Sequence, residues 1–183
     1  MRIVSQAAQV VLFVLGLFSG YLRVIAPISD DTLRIVPGSI ASFSALILLL
    51  LCWLIARFLP NFLRLAFWLI LAVAASGVAV WRINLYPELH AQGTVEVPGY
   101  HLELVRRVKG ATLTAKAEAY IRHQPTRPSD QDLIRDLGGI SEVWTEKSIN
   151  DQWLRLTREY VLFVVSTILA LAFLAEAFKP RGR

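Results

Sequence analysis

The apolar positions of this chain are gathered into long unbroken runs, and two of them lie almost end to end. Ile40 to Leu59 and Phe62 to Ile83 are separated by little more than Pro60-Asn61. A bilayer hydrocarbon core of ~30 Å is crossed by ~20 apolar helical residues, and each run is about that long, with its only charges, Arg57, Arg64 and Arg82, near the ends. Within lipid no water satisfies a peptide group, so a run of this length must be a helix that makes its own backbone bonds. Pro60 would remove one of those bonds, which puts the turn of a hairpin there. A run from Ile3 to Ala26, interrupted by Gln6 and Gln9 and ending near Arg23, predicts a further span at about 4–21. Its alternative is a signal peptide, against which Pro27 stands directly after the cleavage position at Ala26. A last run, Val161 to Phe178, gives the fourth span.

Between these runs the pattern changes twice. Residues 27–39 form a short connection with the turn pair Pro37-Gly38, and Ser39 stands as a cap before the next helix. From Asn84 to Glu159 no long apolar run occurs and most of the charges collect. Thr94 to Val97, Tyr100 to Val108 and Ala111 to Ile121 read as a three-stranded meander turned at Pro98-Gly99 and Lys109-Gly110. The third segment alternates with period two, but its alanines favour helix, so a helix over 114–123 is the rival reading. Ser129 followed by Asp130 and Asp132 predicts a helix ended by Gly138-Gly139. Thr145 caps a rod that continues into the last span, ~50 Å from Thr145 to Phe178 at 1.5 Å per residue.

The expected architecture is an all-α membrane protein with four transmembrane helices and a small α+β extramembrane domain inserted between helices 3 and 4. Its divisions are a membrane domain 1–83 with spans at about 4–21, 40–59 and 62–83, the extramembrane segment 84–159, a fourth span 160–178 and a basic tail 179–183. Composition agrees: 55% hydrophobic residues and a mean hydropathy of +0.52 exceed the norm for soluble chains. The net charge of +5 does not point to nucleic acid, because several basic residues lie at the ends of apolar runs, where they face headgroups. With the single cysteine Cys52 inside an apolar run, an intramolecular disulfide and a cysteine metal cluster are both excluded.

Four spans place both termini and the hairpin turn on one side. That side carries Arg2, Arg57, Arg64, Lys179, Arg181 and Arg183, against Arg23, Arg34, Arg82, Arg155 and Arg158 on the other. Six against five decides little, but a segment longer than ~60 residues translocates largely regardless of its charge. Without it the count is six against two, which predicts cytoplasmic termini in a bacterial cytoplasmic membrane and an extracytoplasmic 84–159.

No ionisable residue falls in the middle of any span, which speaks against proton-coupled transport. The Gly16 and Gly20 step and the stripe Ala72, Ser76 and Ala79 are candidate helix-packing or oligomer faces, since small residues let backbones approach closely in lipid. Ser76, Gly77, Ser166 and Thr167 are the candidates to line an uncharged pore; ordinary helix packing is the competing reading. In the 84–159 segment His90, His101 and His123 lack metal spacing, and no phosphate loop or nucleophile elbow appears, so no catalytic residue, metal site or cofactor is expected. Arg106, Arg107, Lys109 and Trp144 are the candidates for contact with a partner or headgroup, against solvated strand ends for the cations. Trp153, with Ile149 and Leu156, is expected to cover the sheet. The function expected is that of a non-enzymatic polytopic protein, oligomeric, whose extracytoplasmic domain senses or binds a protein partner. The alternative is a pore-forming effector; the general plan is similar to small four-span components of bacterial stress or phage-defence operons, in architecture and in no particular motif.

Overall fold

The structure is a computed structural model that describes residues 36–98 and 104–178. The expected span at 4–21 with Gly16 and Gly20, His101, the Pro98-Gly99 turn beyond Pro98 and the basic tail lie outside the described residues. The described chain runs α1 (Val36–Arg57), α2 (Asn61–Gly93), β1 (Thr94–Pro98), β2 (Leu104–Val108), α3 (Ala115–Arg122), α4 (Asp130–Leu137), α5 (Ile140–Val143) and α6 (Glu146–Ala177). It is mostly helical, and three helices, α1, α2 and α6, are long and apolar enough to cross a membrane, as a multi-pass membrane protein requires.

The described residues divide into two compact units, residues 36–86 with 159–178 and residues 87–98 with 104–158. In the first, three helices share one apolar core. From α1 come Ala41, Ala45, Leu49 and Ala56, at helical spacing, from α2 Trp68, Ala72 and Tyr86, and from α6 Tyr160, Phe163, Val164, Ile168, Ala172, Phe173 and Ala177. The large rings fill the gaps the alanines leave: Trp68 lies 5.6 Å from Phe173, and Tyr86 stacks on Phe163 at 6.1 Å. Such close interdigitation is what holds helices together where lipid is as apolar as the side chains.

α1 begins three residues before Ser39, so Pro37-Gly38 opens the helix instead of breaking the chain before it. Proline is tolerated in a first turn because the amide it lacks would have had no intrahelical partner there. α2 likewise outlasts its apolar run, continuing through Pro87 to Gly93. One bond is lost at Pro87, and the helix ends where the Thr94 hydroxyl donates to the His90 carbonyl at 2.7 Å.

The second unit has its own core of Val95, Ala117, Leu133, Ile134, Val143 and Trp144. Its sheet has two strands, antiparallel, with Thr94 opposite Val108 and Glu96 opposite Arg106. The expected third strand is instead α3. Alternation over 111–121 is carried largely by alanine and threonine, which bring little apolar mass to either face. The residues that do pack, Ala117, Tyr120 and Ile121, follow the i, i+3, i+4 spacing of a helix. Thr114 caps that helix by accepting from the Ala117 amide at 3.2 Å, and only Leu113 keeps a strand-like bridge, to Trp144. α4 starts at the Ser129 cap and ends at Gly138 in the left-handed conformation, φ 93°.

Candidate functional site

Ionisable side chains in an apolar bundle are the first place to look for function, because each must be offset by a partner or be expelled. In the first unit Arg82 of α2 forms an ion pair with Glu159 of α6, with side chains only 15% and 7% exposed. α2 supplies Arg82 at the end of its apolar run; α6 supplies Glu159 directly before Tyr160 and Val161 open the next one. On the same two helices Tyr86 lies 5.9 Å from Tyr160, and the Arg82 guanidinium lies 4.5 Å from the Trp81 ring centroid, a cation–π contact. Satisfaction is incomplete, since the Arg82 Nε is buried without a hydrogen-bond partner, a deficit that costs about 1–3 kcal/mol. The arrangement holds one point of the two-helix contact by charge. Sequence reading missed the pair. Its signal was an arginine closing one apolar run and a glutamate opening another that returns through the same end of the bundle.

The small-residue candidates divide. Ala72 is buried in the shared core of this chain, whereas Ser76 and Ala79 are half-buried and Gly77 is exposed, with open space where a Cβ would stand. Ser166 is buried and donates to the Phe163 carbonyl at 3.0 Å; Thr167 donates to the same carbonyl at 2.9 Å. Both hydroxyls are thereby spent on their own helix, a common use of Ser and Thr within spans.

In the second unit several surface charges pair with one another. Arg106 pairs with Glu96 at 2.9 Å, Lys109 with Asp130 at 2.6 Å and Lys116 with Glu142 at 2.7 Å. Asp136 accepts from Tyr120 at 2.8 Å and from Arg135 at 3.2 Å. The Tyr120 hydroxyl, with Arg135 next, holds the Asp136 carboxyl below the ordinary range, and the same hydrogen bond holds the phenol above its own. Arg107 is half-buried on β2 and joins no ion pair among the described residues. No group of three metal-ligating side chains exists among the described residues.

Trp144 differs from expectation: it is 4% exposed and belongs to the core, not to a contact surface. Its strand-like bridge to Leu113 and the close approach of Gly110, where an added Cβ would stand 2.7 Å from the Trp144 Cβ, enclose it. Leu156 is fully buried beside Gly93, Ile149 packs on the core that includes Val95, and Trp153 is half-buried.

Fold and site thus define a mostly helical protein with three helices able to cross a membrane and a small two-stranded sheet. No protein-family model, no curated protein and no solved structure matches this chain.

Proposed function

We propose that this chain is a non-enzymatic, four-span membrane protein of the bacterial cytoplasmic membrane. In this reading the termini and the 58–61 turn are cytoplasmic, residues 84–159 form an extracytoplasmic domain that binds or senses a protein partner, and copies associate through helix faces. The observation that carries the reading is the segregation of the residues. One unit is apolar and leaves its outward faces bare, with only 11% of the most apolar window of α2 covered, so lipid or another copy must cover the rest. The other has its own core and carries several ion pairs on a charged surface, a construction suited to standing in water and presenting that surface to a partner.

Leu104, 65% exposed on β2, is a large apolar side chain that unit presents openly among its described residues. A photo-reactive residue in its place is expected to give one discrete adduct with a second protein in living cells; adducts only with lipid or a random ladder would contradict a partner-binding domain. Release of dye from liposomes containing the purified protein would favour the pore reading over this one.

A further inference from the structure

The turn between α1 and α2 gathers cations without counter-ions among the described residues. No Asp or Glu occurs between Asp31 and Glu88. Within that stretch Arg57 ends α1 and Arg64 lies in the first turn of α2. Neither guanidinium pairs with a carboxylate among the described residues. Arg64 is anchored to the turn, its Nη2 donating to the Leu59 carbonyl at 3.2 Å, yet its Nε is buried with no partner. Arg57 is exposed, and next to it Phe58 is 80% exposed.

We propose that this turn binds the phosphate of an anionic phospholipid headgroup. The exposed guanidinium fork of Arg57 matches phosphate oxygens in bidentate fashion, Arg64 adds a second positive charge at the turn, and no carboxylate among the described residues competes for them. A lipid is favoured over a soluble anion because Phe58 stands bare beside the cations, where an aromatic ring settles at the boundary of headgroups and acyl chains. Apolar runs leave the turn on both sides, so the chain itself holds it at that boundary. The assignment does not depend on which side of the bilayer the turn faces, nor on a protein partner.

The test uses the full-length chain, purified and exchanged into micelles with equal amounts of phosphatidylglycerol and phosphatidylcholine, and reads the retained lipids by native mass spectrometry. Preferential retention of phosphatidylglycerol is expected, reduced about fivefold by Arg57→Gln and again by Arg64→Gln, since each basic residue near an anionic surface contributes about that factor. Arg57→Lys keeps part of the preference, and Arg155→Gln, an exposed arginine of the other unit, leaves it unchanged. Equal retention of both lipids, or a preference untouched by Arg57→Gln, overturns the proposal; so does displacement by inorganic phosphate alone, which would assign the site to a soluble anion. Should the double variant fail to fold, the wild-type preference must still fall as salt screens the charges, and a salt-insensitive preference also overturns it.

Discussion

At the scale of single residues, the buried pair of Arg82 and Glu159 stakes the most free energy on one contact. Removing one partner leaves the other charge uncompensated in a low-dielectric site, a loss of about 3–5 kcal/mol where such pairs have been broken. Glu159→Gln is therefore expected to destabilise the protein by that order in reversible unfolding from mild detergent. Joint replacement by Arg82→Met and Glu159→Leu should cost far less, because it removes the need for compensation along with the pair. A Glu159→Gln variant as stable as wild type would show that water or headgroups already screen the charges. Tyr120 and Asp136 make a second, exposed test. The lowered carboxyl contributes stability above its unfolded value, and that contribution is lost as pH falls through the folded one; the raised phenol contributes below its unfolded value and loses it as pH rises through the folded one. Tyr120→Phe should move the Asp136 titration, followed by carboxyl carbon shifts, upward toward an ordinary carboxylate. No movement would mean that the hydrogen bond is not formed in solution. The carboxyl was visible in the sequence, but its partner sixteen residues away was not, since only the packing of α3 beside α4 brings the two together.

At the scale of elements, what could be read depended on whether a signal was local. The Pro60 turn, the Ser129 cap and the Gly138 stop each rest on residues adjacent in sequence, and the structure has an element boundary at each of them. Gly138 stands at φ 93° with nothing near its missing side chain, so Gly138→Ala carries backbone strain alone, about 1 kcal/mol. Faster amide exchange at the end of α4 would register it; exchange equal to wild type would show that the cap relaxes without cost. Over 111–121 the strand reading fails and the rival helix over 114–123 holds, for the opposite reason. A period of two written in alanine and threonine has no mass behind it, and the choice fell to a cap at Thr114 and to helix propensity. Trp144 looked available only because its cover, the bridge to Leu113 and the approach of Gly110, comes from residues more than thirty positions earlier.

At the scale of the molecule, one unit carries three helices long and apolar enough to cross a membrane and the other collects most of the charge, a division of labour that on the proposed reading puts the first in lipid and the second outside it. The sequence displays that division in its hydropathy, while the residues that answer it across the fold, Arg82 with Glu159, become a pair only once two distant helices meet. The most direct measurement is accessibility of single cysteines to a membrane-impermeant maleimide in intact cells. Cys52 is the sole cysteine, so a Cys52→Ser background is silent. Ser141→Cys, exposed in the 87–158 unit, is expected to label in intact cells, and Phe58→Cys, exposed at the turn between α1 and α2, only after the membrane is opened. Equal labelling of both positions, before or after permeabilisation, would put the turn and the charged unit on one side and contradict the account.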